Sequence, residues 1–358
     1  MAETISLEQF IGNRRVVDVL LKSIAQKRLP HAMIFGGPPG VGKCTLALIL
    51  AQMLNCLSPD HPSACGACAA CRKIGAILES RHGACARAKD NGPCGACAYC
   101  RLRMQGHPDV RLIEPEKTAI VIDQIRKLAG EVAFQPFEAR CRLVVIDPAD
   151  RMTLEAQNSL LKTLEEPPSR TVMILVTAHP YLLSDTIRSR ARLLQFGPIP
   201  RDAIERHLLS RGGLAPEDAR LAAALSGGSL ETALAFNTAA YRETREQAFR
   251  FVALLLGGRG FTEASGLAAQ IGKDKAAFPA WLDAVAALLE DTYYASVAPA
   301  RVGQDDMMER LRELAAATPR PTLVSAIEAV RNLKGELQVN VNRPLALESM
   351  YLSLRRRP

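Results

Sequence analysis

Residues 31–56 carry two hydrophobic patterns in succession. HAMIFGG, residues 31–37, is an unbroken apolar run closed by glycines. CTLALILAQMLNC, 44–56, follows after a glycine-rich connection. A short apolar run bounded by glycine predicts a buried strand, and the longer stretch after it predicts a helix. Upstream, LEQFIGNRRVVDVLLKSIAQKR, 7–28, has apolar residues at helical spacing, with Gly12 and Asn13 as its turn and cap. Residues 57–106 are rich in cysteine and read as loop. A short strand is expected within 107–118, then an amphipathic helix over 122–134 and an apolar strand ending in acid over 141–150. LEAQNSLLKTLEEPP, 154–168, is a helix stopped by Pro167 and Pro168. TVMILVTA, 171–178, is another buried strand. Alternating strands and helices predict a doubly wound parallel sheet to about residue 196. Beyond Pro198, residues 200–236 hold two or three short helices around the glycine pairs 212–213 and 227–228. From about 247 the chain is helical and rich in alanine and leucine.

Composition narrows the class. A chain of 358 residues with 48% hydrophobic content is long enough for two or three domains. MAETISLEQF has no basic region and no apolar core of a signal peptide. The longest apolar runs, LALILA and VMILV, are too short to span a bilayer, so a cytoplasmic protein is expected. The formal net charge of +8 points weakly to polyanionic partners, because the basic residues are spread along the chain. Eight of the ten cysteines fall between 56 and 100. Without a secretory signal, that clustering indicates metal rather than disulfides.

The first candidate site is GGPPGVGKCT, 36–45. Gly37, Gly42 and Lys43 fit the phosphate-binding loop, with Gly40 between them. Backbone N–H groups of such a loop wrap phosphates, and Lys43 would reach the β/γ-phosphates. Cys44 stands where a hydroxyl should hold Mg²⁺, and sulfur is a poor ligand for that hard cation. Thr45 is rotated about 100° further round the helix and does not replace it. An apolar strand ending in Asp-Glu should supply the metal-holding acid and the base. LVVIDPAD supplies Asp147, but Pro148 occupies the position of the base, and Asp150 lies two residues on from Pro148. Nucleotide (ATP or ADP) held without hydrolysis, and a loop that keeps the turn without nucleotide, both fit this pattern.

The second candidate site is a cysteine module written twice. Cys56, Cys65, Cys68 and Cys71 are followed at a period of 29 residues by Cys85, Cys94, Cys97 and Cys100, with CGAC inside both. A tandem duplication explains the identity of spacing. Four thiolates so spaced suit tetrahedral Zn²⁺, and a closed Cys₄ site leaves no open position for catalysis. Two structural zinc sites are expected. One site mixed between copies, with spare thiols, is the alternative, and an Fe–S cluster also fits the ligands. His82 and His107 lie near the module but are not needed by a saturated site. His31 is expected to pack at its strand start, Cys141 to be a small buried hydrophobe, and Trp281 to be core. Leu160, Leu161 and Leu164 read as core. Lys162, Glu165 and Glu166 read as a solvated face or a contact to DNA or a neighbour.

The order of QFIGNRRVVDVL, GPPGVGK, the cysteine module, HPD, NSLLKTLEEPP and TIRSRARLLQF resembles bacterial clamp-loader subunits of the AAA+ class. The likeness is strong over the first 196 residues and looser beyond. It implies an α/β RecA-like AAA+ domain over 1–196 with a structural zinc-knuckle insertion at 56–100. A small helical lid over 197–245 and an all-α collar over 246–358 complete the expected organisation. It also implies action in DNA replication within a hetero-pentamer containing gamma/tau and delta subunits, with a sliding clamp and primed DNA as partners. In that family the segment matched by Ser189-Arg190-Ala191 places an arginine finger on a neighbour's ATP, worth orders of magnitude in rate. The plain alternative for Arg190 is a surface salt bridge. Ala191 departs from the family's cysteine. The hydrolysing members carry an arginine where GSLETAL has Glu231. Cys44, Pro148 and Glu231 together therefore imply a non-hydrolysing stator. An active gamma/tau-like motor and a stand-alone zinc-dependent nucleic-acid binder are the alternatives.

Overall fold

The computed structural model describes residues 7, 10–58, 64–82, 106–257, 260–336 and 342–355. The chain divides into two compact units, Met1–Ile204 with Gly228–Thr232, and Glu205–Gly227 with Ala233–Pro358.

The first unit begins with α1, Arg14–Ala25, whose buried face is Val16, Val17 and Leu20. Asn13 stands at its N-cap position in the left-handed region, without a side-chain capping bond. Its amide instead donates to the Gly197 carbonyl and accepts from the Gly197 N–H. The expected cap is therefore a long-range clamp. Strand β1, Ala32–Gly36, is fully buried and feeds α2, Lys43–Asn55. Helix α3, Ala69–His82, occupies part of the segment expected to be loop. AACRKIGAILESRH has no proline and a single glycine, Gly75, and its cysteine is compatible with a helix.

Strands β2 (Val110–Ile113), β3 (Arg142–Ile146), β4 (Thr171–Thr177) and β5 (Arg192–Gln195) complete the sheet. Helices α4 (Ile122–Val132), α5 (Leu154–Glu165) and α6 (Asp185–Arg190) connect them. The five strands run in the order β2-β3-β4-β1-β5, every pairing parallel, as the alternating pattern predicted. A parallel sheet is covered on both faces, which is why β1, β3 and β4 read as continuous apolar runs. One face packs Ile34, Val144, Ile146, Met173 and Leu175 against Ile125 and Leu128 of α4 and Leu160 and Leu164 of α5. Thr153 caps α5 by accepting from the Ala156 N–H.

Helices α7 (Arg201–Arg211), α8 (Pro216–Leu225) and α9 (Leu230–Ala235) follow β5. The second unit then runs through α10 (Thr238–Gly257), α11 (Phe261–Lys273), α12 (Phe278–Val297), α13 (Met308–Ala317), α14 (Arg320–Glu336) and α15 (Arg343–Arg355). Its core is centred on α12, where Trp281 is buried against Phe251 and Phe278. No helix among the described residues is long and apolar enough to cross a membrane.

Candidate functional site

The glycine-rich loop lies beyond the C-terminal end of β1, where an open α/β sheet presents its ligand crevice. Gly37 has φ 145°, and a Cβ there would sit 2.3 Å from the Phe196 carbonyl oxygen. Gly40, at φ 72°, would place a Cβ 2.0 Å from the Ser229 hydroxyl. Gly37 is required by the close approach of the Phe196 backbone, and Gly40 by its left-handed conformation. The segment Gly228–Thr232 closes over the loop, and the Glu231 N–H donates to the Gly40 carbonyl.

Lys43 is buried, and its ammonium donates to the Gly37 and Pro38 carbonyls at 2.7 and 2.6 Å. Burial pushes the ammonium below its ordinary pKa, while the charges of Asp147, Asp150 and Glu231 pull it back up. The lysine is thus folded onto its own loop, in a field of three carboxylates. Cys44 is buried and Thr45 is half-buried on α2. The structure brings Gly37, Gly40, Gly42, Lys43 and Asp147 to one end of the sheet. It adds Thr177, which pattern reading missed. Thr177, at the end of β4 and paired in register with Gly36, donates its hydroxyl to Asp150 and accepts from the His179 N–H. Glu231, which stands in sequence at the arginine's place, lies close enough for its charge to act on Lys43.

Arg190 ends α6 at the surface. Its guanidinium pairs with the Glu165 carboxylate at 2.7 Å and donates to the Thr186 carbonyl and the Ser189 hydroxyl. Glu165 is the last residue of α5. Leu160 and Leu164 of that helix are core, and Leu161 packs partly buried against them, as their spacing predicted.

Cys56 immediately follows α2, and Cys71 lies near the start of α3. The ligand atoms of Cys56, Cys65, Cys68 and Cys71 all lie within 4.8 Å of one another. Tetrahedral Zn–S bonds of ≈ 2.3 Å would set sulfurs about 3.8 Å apart, so modest tightening would close the site. Backbone N–H groups aim at the sulfurs: Cys65 N–H to Cys56, Cys68 N–H to Cys65, and Cys71 N–H to Cys68. Burial alone would raise the Cys68 thiol. The N–H groups of Leu57 and Cys71 and the neighbouring thiols outweigh it and hold the pKa at about 6. Cys71 moves upward, chiefly through burial and its bond to Cys68. Four thiols with donors on the sulfurs fit a cation that takes thiolate ligands, and could hold a metal ion. Cys85, Cys94, Cys97 and Cys100 lie outside the described residues.

His107 and Asp109 of the HPD segment are structural. Asp109 is buried and accepts from the N–H groups of Phe137, Glu138 and Ala139 and from the Arg142 guanidinium. Burial would raise its pKa, but these donors hold it down at about 2. His107 is buried and accepts from the Asp109 N–H. His31, expected to pack, is exposed at the start of β1, and Cys141 is half-buried with its thiol raised by burial.

The family model described as DNA polymerase III, delta subunit matches residues 12–83 and 75–200. Each matched segment contains one complete set of four cysteines. The chain is 29% identical over 343 residues to the DNA polymerase III subunit delta′ of Bacillus subtilis, covering 95% of both proteins. It is 34% identical over 231 residues to subunit delta′ of Pseudomonas aeruginosa, covering 63% of this chain and 61% of that protein. To the tau subunit of B. subtilis it is 30% identical over 199 residues, 55% of this chain and 30% of that protein.

Proposed function

The chain belongs to the DNA polymerase III delta subunit family, and from that premise we propose that it is a delta-prime-type clamp-loader subunit. In this reading it acts as the non-hydrolysing stator of a hetero-pentamer with gamma/tau and delta subunits, which loads a sliding clamp onto primed DNA. Arg190 is carried to the ATP of a neighbouring subunit, and the chain's own loop does not turn ATP over.

The single observation that carries the reading is the environment of Lys43. A working loop needs Lys43 on phosphate, a hydroxyl on Mg²⁺ and an acid that activates water. Here Cys44 and Pro148 stand at the last two positions, beside Lys43. Glu231 adds a negative charge where an arginine would serve a phosphate. Nucleotide, where bound, serves as a structural ligand of the set Gly37, Gly40, Gly42, Lys43, Cys44, Thr45 and Asp147. Arg190 supports the trans role because it is exposed and its only carboxylate partner among the described residues, Glu165, is also accessible. Zn²⁺ on the first cysteine module would staple α2 to α3, and a second ion on Cys85, Cys94, Cys97 and Cys100 would make two sites. The organisation proposed is an AAA+ domain over 1–196, a lid over 197–245 and a collar over 246–358.

Co-purification with the remaining loader subunits tests the assignment, with zinc and nucleotide counted in the same sample. A stoichiometric pentamer that loads clamp only when this chain is present is expected. A chain that assembles with none of them sinks the reading.

A further inference from the structure

A cavity of about 410 Å³ opens at the N-terminal ends of β1, β3 and β4. It is separate from the phosphate loop. His31 precedes β1 and Gly37 follows it, and six extended residues span roughly 20 Å. The walls are apolar, formed by Ile24, Leu29, Leu54, Pro168 and Val172. Three cationic or ring-nitrogen side chains line the same space: Lys27, His31 and Arg170. Among the described residues none of the three takes part in a side-chain hydrogen bond or ion pair. Thr171 also lines the cavity. It is only 5% exposed, and its hydroxyl has no hydrogen-bond partner.

A buried hydroxyl left without a partner costs free energy and is uncommon in a native interior. Thr171 lines the cavity together with Lys27 and Arg170, and the three offer the donors that an oxyanion needs. A carboxylate would satisfy one face of this set. A tetrahedral phosphate offers three terminal oxygens, enough for the arginine fork, the ammonium and the hydroxyl together. The C-terminal ends of α1 and α2 lie on this side and carry partial negative charge, which offsets part of the cationic field. They leave the Thr171 hydroxyl unanswered. The apolar walls exclude bare inorganic phosphate as the best ligand, because it would leave them uncovered. A volume of this size matches small-molecule pockets with apolar linings and few polar groups. We propose that this cavity binds a phosphate monoester with a small apolar or aromatic body, its phosphate on Lys27, Arg170 and Thr171 and its body against Leu29, Leu54 and Val172.

The variants are chosen for their backbone. Lys27 and Arg170 have φ 54° and 57°, so asparagine, which tolerates the left-handed region, is the replacement. Thr171→Val keeps the shape and removes an unpartnered hydroxyl, so it should fold at least as stably as the parent. Calorimetric titration of the full chain with phenyl phosphate should show one site. Affinity should be roughly tenfold above that for inorganic phosphate at equal ionic strength. Thr171→Val and Arg170→Asn should each weaken phenyl phosphate roughly tenfold, with melting temperature unchanged or, for Thr171→Val, raised. Benzoate should bind less tightly than phenyl phosphate. No saturable heat with phenyl phosphate at millimolar concentration would overturn the proposal, as would binding that both variants leave intact.

Discussion

Replacing Arg190 by alanine separates a structural role from a catalytic one. The side chain is 37% exposed and its partner Glu165 is 49% exposed. A pair in that much solvent is screened, and its loss costs less than about 1 kcal/mol. For a unit of this size such a loss lowers the melting temperature by at most about 4 °C. If Arg190 reaches a neighbour's γ-phosphate, the same substitution removes charge stabilisation from that transition state, a loss of about 10³-fold or more at the site it serves. The assay is a reconstituted loader with clamp and primed DNA, read by pre-steady-state phosphate release. Arg190→Ala should remove the contribution of one ATP site while assembly and melting change little. Arg190→Lys should rescue poorly, because lysine keeps the charge but not the planar fork. An unchanged phosphate burst would refute the trans role. A melting loss above 8 °C would show instead that Arg190 is a structural residue.

Asp109→Asn should destabilise the first unit by about 3–5 kcal/mol, because it leaves Arg142 buried without its counter-charge. The pH dependence has a definite sign. The folded pKa of about 2 lies below the ordinary 3.8, so the stabilisation is complete above the ordinary value and is lost as pH falls toward 2. That limb amounts to about 2 kcal/mol and should vanish in the variant when denaturant midpoints are measured from pH 5 to pH 2. Gly37→Ala would drive a Cβ against the Phe196 carbonyl and should cost about 2–4 kcal/mol in urea unfolding; a neutral result would contradict the packing. Metal analysis should find two zinc ions per chain, and serine at Cys56, Cys65, Cys68 and Cys71 should remove one of them. A single zinc in the parent protein would reject the two-site expectation.

The sheet was legible because each buried strand is a continuous apolar run with a glycine, proline or acid at its end, and parallel strands covered on both faces leave that trace. The cysteine module was legible because spacing alone defines a ligand set. Helix α3 was hidden inside that module, where cysteine density masked an ordinary helical stretch. What escaped pattern reading are contacts between residues far apart in sequence. Asp109 meets Arg142 across two adjacent strands, and Arg190 meets Glu165 across the ends of two helices. Asn13 signalled a local cap but serves Gly197. Glu231 showed only as a missing arginine until the chain fold brought its charge onto Lys43. In each case local propensity was satisfied and the partner was set by topology, which no window of sequence contains.

On the proposed reading, the phosphate loop of this chain does not hydrolyse ATP. Phosphate release by the purified, zinc-replete chain alone, with Mg²⁺ and saturating ATP, tests it most directly. A rate at background, unchanged by Lys43→Ala, is expected. Sustained turnover that Lys43→Ala abolishes would contradict it.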